Sequence, residues 1–125
     1  MSEVIYLNYV NSYSILKMSD CFENSQGIVF LYQTKDYLNI TVYIKNAPDD
    51  VDNKSITLSI GNRLYIPLCY DNGKIKASII TKDYNALDFV CDEVNILVDD
   101  EIIASGVIVK DVRNYDYHYS KLNIM

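Results

Sequence analysis

The sequence predicts an all-β fold, an antiparallel β-sandwich of Ig-like or jelly-roll-like type with about eight or nine short strands. Three observations lead there. Apolar residues recur at every second position along most of the chain, the period of a half-buried strand. Turn-forming residues punctuate the chain about every 8–12 positions, as in sandwiches and small barrels. An Asn-Gly pair at Asn72 and Gly73 separates two alternating segments, and this dipeptide suits the positive φ of a type I′ hairpin turn.

The elements follow in chain order. Residues 4–10 and 13–18 supply one or two N-terminal strands. Residues 27–32, Gly-Ile-Val-Phe-Leu-Tyr, form a continuous apolar run that suits a strand covered on both faces. Lys35 and Asp36 turn the chain into Leu38–Lys45, which alternates without a fault. Residues 46–50 then read as a loop.

Residues 55–60 alternate again and are followed by Gly61 and Asn62. A three-residue loop, Gly61-Asn62-Arg63, pairs Ile60 with Leu64 and Leu58 with Ile66, keeping both apolar sets on one face. A two-residue turn would put them on opposite faces, and one buried face sets register. The Asn72-Gly73 turn next pairs Tyr70 with Ile75, Leu68 with Ala77 and Ile66 with Ile79, leaving Lys74, Lys76 and Ser78 outward. Residues 55–81 are thus expected to form a three-stranded meander, with Pro67 marking an edge because it lacks an N–H. Residues 83–92 suit a short helix or a loop. Residues 94–98 and 102–109 flank Asp99-Asp100-Glu101 as a further hairpin.

The last unit is Asn114-Tyr115-Asp116-Tyr117-His118-Tyr119-Ser120. On an extended strand, Tyr115, Tyr117 and Tyr119 share one face. Tyrosine offers broad, half-polar contact area at low entropic cost. Tyr115, Tyr117, Tyr119 and His118 are therefore the candidate partner-binding residues, either covering the protein's own sheet or contacting another chain or a glycan. Tyr6, Tyr9 and Tyr13 could extend the same patch. The expected organisation is a sandwich domain over residues 1–112 and a Tyr-rich strand or arm over 113–125.

Composition narrows the function. The chain has 125 residues, half of them apolar, enough for a core without disulfide or metal support. Its formal charge of −6 argues against a phosphate-backbone partner, since nonspecific nucleic-acid affinity comes from clustered cations. No apolar run reaches the roughly 18 residues needed to span a bilayer, and the first residues lack the basic start and apolar core of a secretory signal. A virion or the cytoplasm of the producing cell is the expected location. Cys21, Cys69 and Cys91 form no C-x-x-C pair and have no neighbouring histidines, so they read as small buried hydrophobes in a reducing compartment.

No catalytic, cofactor or metal site is expected. A Cys-His or Ser-His pair needs an imidazole, and the single histidine, His118, lies in the tyrosine stripe. Asp49-Asp50-Val51-Asp52-Asn53 lacks the spacing and late glutamate of a calcium loop, and Asp99-Asp100-Glu101 reads as a polar hairpin tip. The glycines at 27, 61, 73 and 106 are scattered and cradle no phosphate.

Ile, Asn, Tyr and Lys number 16, 12, 12 and 9. All four use AT-rich codons, which points to an AT-rich genome such as that of a low-GC bacterium, its phage or another virus. The expectation is a non-enzymatic, protein-binding structural module: an accessory virion protein that decorates a capsid or joins a fibre base or baseplate. Its partners would be capsid or baseplate subunits or copies of itself, with no direct nucleic-acid or membrane contact. The alternative is a small acidic inhibitor, an anti-defence or immunity protein, whose Asp clusters block a cationic nucleic-acid groove.

Overall fold

The computed structural model describes residues 11–110, and these form an antiparallel all-β body. Its strands are β1 (Asn11–Met18), β2 (Gln26–Gln33), β3 (Leu38–Lys45), β4 (Ile56–Ile60), β5 (Leu64–Pro67), β6 (Cys69–Asp71), β7 (Lys74–Thr81), β8 (Glu93–Val98), β9 (Glu101–Val107) and β10 (Val109–Lys110). Their lateral order is β5-β4-β8-β9-β1-β2-β3-β7-β6, with β10 also on β1. The end strands β5 and β6 are successive parts of one segment, interrupted only at Leu68. The two edges of the sheet are therefore covalently joined, and the sheet is nearly closed into a barrel, a standard way of removing exposed strand edges.

Alternation builds the core. Strand β3 buries Leu38, Ile40, Val42 and Ile44 while its other residues face outward. Leu31 and Ile75 come in from the neighbouring β2 and β7, Leu58 and Ile96 from β4 and β8, and all four are also fully buried. Each such side chain contributes roughly 1.5–3 kcal/mol relative to exposure, so the strand pairing and the apolar period enforce each other.

The Gly61-Asn62-Arg63 loop pairs Ile60 with Leu64 and Leu58 with Ile66, as the apolar pattern requires. The Asn72-Gly73 turn has positive φ at both residues (48° and 81°) and pairs Tyr70 with Ile75. The expected meander does not continue from there. Pairing of β6 with β7 ends at Cys69, and Ile66 pairs with Leu58 alone, not with Ile79. The strand changes sides at Pro67-Leu68: proline cannot donate to a ladder, and the buried Leu68 sends its N–H to the Ile56 carbonyl (2.9 Å). Residues 55–81 are therefore two hairpins on opposite sides of the core.

The run at 27–32 also differs from expectation. Only Val29 and Leu31 are fully buried, while Ile28, Phe30 and Tyr32 are half-buried or exposed on the outer face. A single closed sheet has one inner face, so the outward residues of a central strand are shielded only by their cross-strand neighbours. The three cysteines are exposed rather than buried. For Cys69 the cause is alternation, since Leu68 and Tyr70 take the inward positions.

Residues 83–92 resolve into a short 3-10 helix, Ala86–Phe89, begun by a capping box: the Asn85 side chain accepts from the Leu87 N–H, and the Asp88 carboxylate accepts from the Asn85 N–H. Phe89 and Ala86 are fully buried. Buried Gln33 anchors this segment. Its Oε1 accepts from the Ala86 N–H (2.8 Å), while its Nε2 donates to the carbonyls of Thr34 and Tyr37. The hairpin at residues 98–101 has a two-residue turn, Asp99-Asp100, with φ of 48° and 69°, and a bulge that leaves Ile103 unpaired.

Candidate interaction surface

The tyrosine stripe and His118 that the sequence singled out (Tyr115, Tyr117, Tyr119), Tyr6, Tyr9, the strand at 4–10 and the boundary at residue 112 lie outside the described residues. Within them, a different aromatic and aliphatic surface is assembled by the register of β1, β2, β3 and β10. Ile15 pairs with Ile28, and Ile28 with Tyr43, giving one outward row. Val109 pairs with Tyr13, and Tyr13 with Phe30, giving the adjacent row. Ile15 is 70% exposed, the highest value among the large apolar side chains of the described residues, and Ile28, Tyr43 and Val109 are exposed as well.

Charge frames this apolar area. The outward positions at the end of the same strands are Lys17, Gln26 and Lys45, and neighbouring β7 adds Lys74 and Lys76, the latter beside Tyr43. A groove of about 750 Å³ runs along this margin, lined by Ile15, Met18, Ile28 and Tyr43, with Glu23 and Lys45 among its polar residues. The volume falls within the usual range for binding clefts, and its mix of apolar walls with a few polar groups is typical of them.

No protein-family model and no curated protein matches the chain.

A second feature is the charge of one end of the barrel. The loops joining β1 to β2, β3 to β4, β6 to β7 and β8 to β9 all emerge there. They are tied together by hydrogen bonds from Ser25 Oγ to the Asn46 carbonyl (2.8 Å), from the Ala47 N–H to the Gly73 carbonyl (2.8 Å) and from the Asp99 N–H to the Ser55 carbonyl (2.9 Å). This topology brings Asp49, Asp50 and Asp52 to the same end as Asp99, Asp100 and Glu101, and adds Asp20, Glu23 and Asp71. Sequence reading found the two clusters and could not see that they share an end.

Within that end, the Tyr70 hydroxyl donates to Asp49 Oδ1 at 2.6 Å, beside a polar depression that Asp52 and Asp71 also line. The hydrogen bond to Asp49, followed by desolvation, raises the Tyr70 pKa above 10.0. Asp99 is turned to structure: its Oδ1 accepts from the Ser55 N–H at 3.0 Å. Among the described residues no group of three or more His, Cys, Asp or Glu side chains is arranged to hold a metal ion, and no helix is long and apolar enough to cross a membrane.

The opposite end carries one ion-paired arginine. Arg63 donates to the Asp92 carboxylate (2.8 Å) and to the Asp88 carbonyl, and its guanidinium lies 4.9 Å from the Phe89 ring centroid. Tyr84 packs on Phe89 with centroids 5.3 Å apart. This cluster fastens the 83–92 segment over the core.

Proposed function

We propose that the protein is a non-enzymatic, protein-binding structural module that works through the outer face of β10, β1, β2 and β3. The observation that carries this reading is the outward pair of rows Ile15–Ile28–Tyr43 and Val109–Tyr13–Phe30, of which Ile15, Ile28, Tyr43 and Val109 are exposed among the described residues. A contiguous exposed apolar area rimmed by polar side chains marks an interaction site more often than a catalytic one. The setting we assign is a virus or phage particle, as an accessory component beside capsid or baseplate subunits. Small size and AT-rich residue usage support that setting.

The test is co-sedimentation with intact particles from the producing cells. The expected result is a fixed stoichiometry for the wild-type protein and loss of association for Ile28→Asp, with the circular-dichroism melting curve unchanged within a few degrees. Absence from particles would overturn the setting, and full retention of Ile28→Asp would overturn the surface.

A second reading is favoured by the gathering of the Asp49–Asp52 and Asp99–Glu101 acids at one end of the barrel. A small inhibitor could present such an end to a cationic groove meant for nucleic acid. Binding of that kind falls steeply with added salt, whereas contact through the apolar rows resists moderate salt, so a salt titration of partner affinity separates the two.

A further inference from the structure

We propose that the apolar outer face is the interface of a two-fold homodimer, so that the partner seated on Ile15, Ile28 and Tyr43 is a second copy of the chain. This rests on the reading of that face as the contact surface and names its occupant. Three features argue for a second copy.

The first is self-complementary charge. Glu23 and Lys45 line the same groove, both are exposed, and neither forms an ion pair among the described residues. In an isologous contact a residue of one copy meets its counterpart's complement twice over. Lys45 of each copy then faces Glu23 of the other, and both rim charges are neutralised at once.

The second is shape. Ile15 protrudes immediately beside the groove it helps to line. One patch thus holds both a knob and the recess to receive it, the arrangement that a two-fold axis needs.

The third is area. Strands β1, β2 and β3, of eight residues each at about 3.3 Å per residue and about 4.8 Å spacing, with the two residues of β10, give a face of roughly 400 Å². Stable interfaces bury about 800 Å² per partner. The face accounts for about half of that, and the side chains of the adjacent groove extend it.

The experiment is sedimentation velocity of the full chain from about 1 to 200 µM, a range that resolves micromolar self-association. The expected result is a concentration-dependent dimer. Ile15→Glu should weaken it at least about 100-fold, as a charge in the centre of an apolar contact is strongly disfavoured. Glu23→Lys and Lys45→Glu should each weaken it about tenfold, and the double variant E23K/K45E should return it to within a few-fold of wild type. These rim charges are exposed, so their exchange reads the interface even if Ile15→Glu disturbs folding.

A wild-type protein that stays monomeric throughout overturns the proposal, as does a dimer indifferent to Ile15→Glu or a double swap without rescue. The contact-surface reading fails separately. If the wild type is monomeric but Ile28→Asp still removes it from particles, the face is sound and the second copy is wrong.

Discussion

Gly106 on β9 lies so close to Ser14 on β1 that a β-carbon at Gly106 would overlap the serine hydroxyl and stand 2.7 Å from the Ile15 carbonyl oxygen. Here β1 passes from pairing with β10 to pairing with β9, with Tyr13 opposite Val109 and Lys17 opposite Ser105. Because one of the obstructing atoms is backbone, the neighbour cannot swing aside. Gly106→Ala should destabilise the fold by about 2–3 kcal/mol, in the range of an overpacked core, and lower the urea midpoint without changing the slope. An unchanged midpoint would mean that the two strands are not held at this distance.

The Arg63 cluster should have a modest, divisible effect. The side chains of Arg63 and Asp92 are 48% and 32% exposed, so their ion pair is worth at most about 1 kcal/mol; the contact with the Phe89 ring adds about 0.5–1 kcal/mol. Arg63→Ala should cost about 1–2 kcal/mol. Arg63→Lys should recover less than half, because an ammonium cannot reach both acceptors while lying over the ring. A double-mutant cycle with Asp92→Ala checks the split, and a coupling above about 2 kcal/mol would show that the pair is less solvated than its exposure implies.

Tyr70 should ionise above the ordinary tyrosine range. Its hydroxyl donates to Asp49, and deprotonation both removes that bond and sets a phenolate against a carboxylate. The folded state holds this proton more tightly than the unfolded chain does. The associated stability is therefore complete below pH 10 and is lost as pH rises through the folded pKa. Ultraviolet titration of wild type against Tyr70→Phe isolates this tyrosine, and Asp49→Asn should bring its pKa down; an unmoved curve would mean that the hydrogen bond does not form in solution.

The Asp99-Asp100 turn is open to improvement. Both residues have left-handed φ, a conformation that glycine adopts without the steric cost of a β-carbon. Asp99 is needed for its contact with the Ser55 N–H, whereas no hydrogen bond of the Asp100 side chain is found among the described residues. Asp100→Gly should stabilise the protein by about 0.5–1 kcal/mol in thermal or urea unfolding, while Asp99→Ala should destabilise it. A loss on Asp100→Gly would reveal a contact of that carboxylate beyond the turn.

By itself the sequence determined the fold class, most strands of the described body and both turns whose register depends on neighbours in the chain. Alternation along β3, the three-residue loop at Gly61 and the Asn72-Gly73 turn are local, and each is set by backbone sterics plus a single buried face. It also identified the acidic clusters, and it left residues 83–92 open between a short helix and a loop. Only the tertiary structure decided where strands change sides, because the corner at Leu68 depends on Ile56, twelve residues away, and the close approach at Gly106 on β1, some ninety residues earlier. The outer apolar rows belong to the same class. Ile15, Ile28 and Tyr43 look like ordinary strand residues until the register of three strands sets them side by side on the outer face of the described body.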